Sequence, residues 1–386
     1  MSHTPFDPAL AASLTAWRRH LHAHPELSLH ETATAAFVAA RLTELGVPFV
    51  PGVGGHGMVA TITRGVSNRS VGLRADMDAL PIEEQTGVAY ASTRPGVMHA
   101  CGHDGHTTSL LGAAALLSRE ADWTGTVQLV FQPAEEGYGG ARAMLADGLL
   151  DRFPMERIFG YHNWPGLAAG EVAVHAGPVM AQGSRVCITM EGHAGHAAMP
   201  HLTRDPVLAA AHVLVALQSV VSRNINPMDT AVVSICTLDG GLAANQIPHR
   251  ATMRGTFRSH RPEIHAAIEA AITRVVAGIG TTFGVTGTAE FTTGVPGVAN
   301  TPAEADLATA AARAAGLPVH HGLPPSMASE DFGAYLESRP GAFVWIGNGP
   351  SDGGRELHNP NYDYNDDILP AASRFLASAA KTALAA

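Results

Sequence analysis

Cysteine is scarce in this chain of 386 residues: there are three, Cys101, Cys187 and Cys236. An odd and sparse count does not build a disulfide framework, so a reducing compartment is expected. Aromatic residues make up 6% and charged ones 15%, against 46% hydrophobic. That balance belongs to a globular chain and excludes a disordered one. Positive charge is also short: 24 Lys and Arg face 34 Asp and Glu, a net charge of −10. Such a surface argues against nucleic acid and anionic membrane as partners. No stretch reads as the ~20 unbroken apolar residues of a membrane helix. The opening MSHTPFDPALAASLTAWRRHLHAH has no apolar segment after a basic start, so no secretory signal is visible. The expected location is the cytoplasm.

The length exceeds one typical core and suggests two domains. Helical patterns fall at 8–22, at 31–45 (ending at Gly46) and at 107–119. Short apolar runs of strand type fall at 58–63, 71–75, 127–131, 158–161 and 343–346. Strands alternating with helices predict an α/β domain with a mostly parallel, buried sheet. Between 181 and 293 the order changes to β-α-β-β-α-β, the ferredoxin-like arrangement. Asp205-Pro206 and Pro262 open its two helices, and Met253 and Phe257 share one face of a strand whose other face carries Arg254 and Arg258. The expected organisation is one domain of 1–180 and 294–386, interrupted by a smaller α+β domain at 181–293.

What the chain does have is histidine, 21 in all. In open α/β sheets, sites form beyond the carboxyl ends of the strands. Asp76 and Asp78 follow one predicted strand, Glu135 and Glu136 another, His162 a third, and His358 a fourth across a Gly-rich loop. Cys101 and His103 lie in CGHDGH, at the start of an apolar helix, where a thiolate is favoured electrostatically. Singly, each of these is an ordinary loop or core residue. Jointly, they place nitrogen, oxygen and sulfur donors where one or two divalent ions could be held. Two ions ~3.5–4 Å apart polarise a carbonyl oxygen and ionise a shared water near neutrality. Adjacent glutamates then divide the work, one ligating and its neighbour moving the proton. Asp78 could orient a ligand histidine from behind.

The chain resembles the M20 metallopeptidase and amidohydrolase family, in its aminoacylase, hippurate hydrolase and auxin-conjugate hydrolase branch. The resemblance rests on RRHLHAHPEL from Arg18, RADMDALP from Arg74, HACGHDGH from His99, FQPAEEG from Phe131, YHNWP from Tyr161, GHAAMPH from Gly195, NQIP from Asn245, SEDF from Ser329 and LHNP from Leu357. It implies that Cys101, His103, Glu136, His162 and His358 are metal ligands, that Glu135 is the general base and that Asp78 supports the site. It implies a lid and dimerisation role for the inserted domain. In that domain His196 would stabilise the developing oxyanion, often from the partner subunit, and Asn245 and Arg258 would hold the substrate's carbonyl or carboxylate end. Asp76 stands where many relatives carry a ligand histidine, which favours an N-acyl amino acid amidohydrolase over a peptidase.

The resemblance further implies two divalent ions (Zn, Mn, Co or Ni), a homodimer or higher homo-oligomer through the inserted domain, and a small-molecule N-acyl amino acid substrate. A dipeptidase or carboxypeptidase of the same fold is the competing enzyme. Nothing in the sequence marks an acidic partner for the free amino group a dipeptidase would bind. A non-catalytic metal-binding dimer is the third reading, and an unligated base such as Glu135 argues against it.

Overall fold

The computed structural model describes residues 6–386. Two compact units divide the chain. One takes residues 6–179 together with Ala299–Pro324 and Glu330–Ala386; the other takes Met180–Val298 and Pro325–Ser329. The short segment Pro325–Ser329 therefore leaves the first unit, to which chain order alone assigns it.

The first unit is built on an eight-stranded sheet. Across it run Phe49–Pro51, Met58–Arg64, Gly125–Gln132, Ser70–Asp76, Arg157–Pro165, Gly341–Gly349, Val172–Ala173 and Val319–His320. The four from Gly125–Gln132 to Gly341–Gly349 are mutually parallel. The first three in that order pair antiparallel. Parallel strands are covered on both faces, which is why Gly341–Gly349 is buried at every position. Helices Pro8–Ala23, His103–Arg119 and Leu369–Ala385 contribute Leu14, Leu110, Leu111, Phe375 and Leu376 to the core. Asp7 starts the first of them by accepting from the Ala9 N–H, with Pro8 in the first turn.

The second unit is a four-stranded antiparallel sheet in the order Ala231–Asp239, Arg250–Ser259, Gln182–Glu191, Thr286–Thr293. With helices Pro206–Ser219 and Pro262–Phe283 this is the β-α-β-β-α-β chain order expected from the sequence. Val186, Ile188, Met253 and Phe257 meet Val213, Leu217, Ile268 and Ile272 in one core. Pro206–Asn224 and Pro262–Phe283 are long and apolar enough, by length and composition alone, to cross a membrane. Their apolar stripes are used on the sheet, as a sheet-covering helix requires.

Two boundaries near the site differ from expectation. The helix expected from 107 begins at His103, because Gly102 adopts φ 89° and turns the chain directly into it. A Cβ on Gly105 would lie 2.2 Å from the Tyr364 ring, so its glycine serves close packing and not a loop. The strand expected to end at Tyr161 continues to Pro165, which puts His162 inside it and not beyond it. Residues 103–106 and His162–Asn163 look polar in sequence yet are buried, and most of their polar atoms find partners there.

Candidate metal centre

Four elements of the first unit bring the five expected ligands together. His103 opens helix His103–Arg119, with Cys101 two residues before it. His162 sits in strand Arg157–Pro165. Glu135 and Glu136 lie in the turn after Gly125–Gln132. His358 takes φ 63° in the loop after Gly341–Gly349, and its N–H donates to the Ala100 carbonyl at 2.8 Å. The ligand atoms of Cys101, His103 and His162 all lie within 4.8 Å of one another, as do those of Cys101, Glu136 and His358. Two triads thus share the Cys101 sulfur.

Hydrogen bonding turns the candidate ligating atoms toward one another. His103 Nδ1 donates to the Asp78 carbonyl at 2.9 Å, which presents Nε2 to the centre. His162 Nδ1 donates to the Asn163 carbonyl at 2.7 Å, which leaves Nε2 facing Cys101 Sγ at 3.3 Å. Glu136 Oε1 lies 3.9 Å from His103 Nε2 and 3.3 Å from His358 Nε2. His103 Nε2 and Glu136 Oε1 are both buried without a hydrogen-bond partner. Orphaned buried polar atoms are costly, and several converging on one point are what a cation would satisfy.

The electrostatics agree. Burial, then the charges of Glu136 and Glu135, push the Cys101 thiol well up, so the helix start alone does not ionise it. A thiolate at this position needs a cation beside it. Burial pulls His103 down, but Asp76, Asp78 and Glu136 outweigh it and raise this imidazole to about 10. The surrounding carboxylates thus favour positive charge at this position. Burial, reinforced by His106, holds His162 well below its usual range, as a neutral ligand nitrogen.

Asp78 hydrogen-bonds to two of the clustered residues, His103 and Glu136. Its Oδ1 is 3.3 Å from His103 Nδ1, and its Oδ2 accepts from Ser28 Oγ at 2.6 Å and from the Glu136 N–H at 3.0 Å. Glu135 is buried beside Glu136, and its Oε1 accepts from the Asp331 N–H at 3.3 Å. Burial, then the charges of Glu330, Glu136 and Asp331, push its carboxyl well above the usual range. Asp76 accepts from Arg74 at 2.7 Å and from His106 Nδ1 at 2.6 Å. His106 Nε2 accepts from the Asn163 N–H at 2.9 Å, which fixes the tautomer.

The remaining expected residues are in the second unit. His196 pairs with Gln246 across a two-stranded ladder, which sets it beside Asn245. Arg258 donates to the Met327 carbonyl at 3.1 Å and to Ser329 Oγ at 2.6 Å, whereas Arg254 on the same strand face pairs with Asp239 at the surface.

Sequence reasoning assigned no role to the buried charges around the centre. Arg74 binds Asp76, Glu330 and Asp331; Arg18 binds Asp104, Asp363 and Asp366. Arg18, Arg74, Asp104 and Glu330 are fully buried. The only sequence signal was their place in the quoted motifs, since partners so distant in the chain carry no periodic trace.

The family model described as "Peptidase family M20/M25/M40" matches residues 72–382. An N-acetyl-L-cysteine deacetylase of Bacillus subtilis is 40% identical over 97% of this chain and 89% of its own length. A hippurate hydrolase of Campylobacter jejuni is 38% identical over 94% of each. The crystal structure of a dinuclear metal binding peptidase from the M20 family of Bacillus subtilis superposes with TM-score 0.88 at 36% identity, covering 98% of this chain and 99% of that one.

Proposed function

Because the chain belongs to peptidase family M20/M25/M40, we propose that it is a metal-dependent amidohydrolase cutting N-acyl amino acids to a carboxylate and a free amino acid. The observation that carries this is the pair of orphaned buried atoms, His103 Nε2 and Glu136 Oε1, beside Glu135, which is grouped with both but belongs to neither triad that shares Cys101. Cys101, His103 and His162 would hold one ion, and Cys101, Glu136 and His358 the other. Bound there, divalent ions supply Lewis acidity toward the amide carbonyl and lower the pKa of water. A thiolate donor favours a soft ion such as Zn, while the nitrogen and oxygen donors also admit Mn, Co or Ni.

The chain's own groups do the rest. Asp331 N–H holds Oε1 of Glu135, leaving Oε2 to take the proton of the attacking water and pass it to the departing amine. Asp78 keeps the His103 ring and the Glu136 backbone in place. His196 stabilises the oxyanion, and Asn245 and Arg258 bind the carbonyl or carboxylate end of the substrate. The relatives support the substrate class, since N-acetylcysteine deacetylation and hippurate hydrolysis both cleave an N-acyl amino acid. The second unit makes a homodimer, supported by the edge strand Ala231–Asp239, which pairs on one side only and exposes Val232 and Leu238. The protein works in the cytoplasm.

The test is a panel of acetyl-, benzoyl- and indoleacetyl-amino acids against dipeptides, run on chelated protein reloaded with Zn, Mn, Co or Ni. Hydrolysis of the acylated series after reloading is expected. Activity confined to dipeptides, or untouched by the chelator, overturns the proposal.

A further inference from the structure

The loop that carries the general base is gripped by one residue almost two hundred positions away. Asp331 Oδ1 accepts from Gln132 Nε2 at 2.7 Å, on the last residue of the strand before the loop. Its Oδ2 accepts from the Ala141 N–H at 2.9 Å, in the helix after the loop. Its own N–H donates to Glu135 Oε1 at 3.3 Å, inside the loop. Entry, middle and exit of the loop are therefore tied to a single residue.

Asp331 is itself immobilised. It is 2% exposed, and Arg74 Nη2 donates to its Oδ1 at 3.0 Å while also binding Glu330 at 2.9 Å. Arg74 lies in strand Ser70–Asp76, so the anchor reaches the middle of the sheet. The loop needs such a hold. Ala134, a residue with a Cβ, is kept at φ 55°, and Gly140 N–H closes onto the Ala134 carbonyl at 3.0 Å. A backbone in that region persists only where its surroundings over-determine it.

Resting on the amidohydrolase reading, we propose that Asp331 is a positioning residue for Glu135: its three hydrogen bonds aim the base's carboxylate at the reacting water and contribute nothing to ligating metal. Asp331→Asn preserves size but turns one acceptor oxygen into a donor. That donor must then face either the Ala141 N–H or the Gln132 and Arg74 donors, so one grip is lost.

The test reads rates and loop motion together. For Asp331→Asn, kcat should fall about 10- to 100-fold, with KM changed by less than about twofold and bound metal unchanged. Amide hydrogen exchange over 133–141 should quicken roughly tenfold, as for a lost bond to a charged group. Adding Gln132→Glu in the same chain returns a donor–acceptor pair between the two positions with the charge conserved, and should recover most of kcat. Wild-type kcat, an equal loss of metal, or unchanged exchange in Asp331→Asn overturns the proposal. If that variant does not fold, Gln132→Ala removes one grip alone; wild-type rate and exchange there overturn it equally. A wild-type protein inert on every N-acyl amino acid would defeat the functional reading, while the exchange measurement would still decide whether Asp331 holds the loop.

Discussion

The Glu136 N–H donates to Asp78 Oδ2 at 3.0 Å, while Oδ1 of the same carboxylate lies 3.3 Å from His103 Nδ1. One buried aspartate thus contacts a histidine and a glutamate backbone that come from different elements. Burial works against its charge, but the hydrogen bonds from His103, Ser28 and the Glu136 backbone hold it ionised, below its usual range. Asp78→Ala should weaken divalent-ion affinity about 10- to 100-fold. Competition with a chromogenic chelator measures this, and unchanged affinity would show that Asp78 orients neither ligand.

Glu135→Gln should retain both metal content and substrate affinity but lose turnover by about 10²-fold or more. Metal analysis and steady-state rates on the same sample separate these quantities. A variant that still turns over at the parent rate removes Glu135 from the role of base.

Arg18 is fully buried among Asp104, Asp363 and Asp366, and its Nη2 also donates to the Tyr364 carbonyl at 2.9 Å. Taking away one partner of a buried ionic cluster leaves uncompensated carboxylates. Arg18→Met should therefore lose about 3–5 kcal/mol of stability. Urea unfolding gives the value, and a loss below about 1 kcal/mol would mean that water reaches the cluster.

His22 gives a pH dependence with a definite sign. Burial pulls its pKa down, but hydrogen bonds to Asp104 at 2.8 Å and Glu84 at 3.3 Å raise it from 6.5 to about 9. The folded state then binds more protons than the unfolded one between those values, so this contribution is complete below pH 6.5 and is lost as pH rises through about 9. The urea midpoint should fall across that interval in the parent and fall less in His22→Gln. Parallel slopes would assign the alkaline loss to other groups.

If His196 acts across a dimer, inactive His196→Ala and Glu135→Gln proteins should regain activity when mixed and allowed to exchange subunits. A mixture as inert as its parts, with exchange shown by mass, would place His196 with its own subunit's centre.

Much of the centre could be read from the chain. The residues at 101, 103, 135, 136, 162 and 358 stood out because each follows an apolar run of strand type or precedes a helical one. The structure does group their ligand atoms, Glu135 included. Two boundaries failed in the same way: 103–106 and 162–165 look like polar loop, but they are a helix start and a strand end. Local propensity reads exposure, and it has no access to the buried partners (Asp76, Asp78, Asn163) that let polar side chains continue an element into the core.

Sequence by itself determined the alternation of helices and strands, the β-α-β-β-α-β order of the second unit and the types of donor available to a metal. Those follow from side-chain period and from motifs close together in the chain. Tertiary structure alone decided that two triads share the Cys101 sulfur, that Arg74 collects Asp76, Glu330 and Asp331, and that Asp331 grips both ends of the loop carrying Glu135. The physical reason is that a buried charge is tolerable only beside its partner, and here most partners lie tens to hundreds of residues away. Pairing at that separation is set by sheet order and packing, which no local pattern encodes.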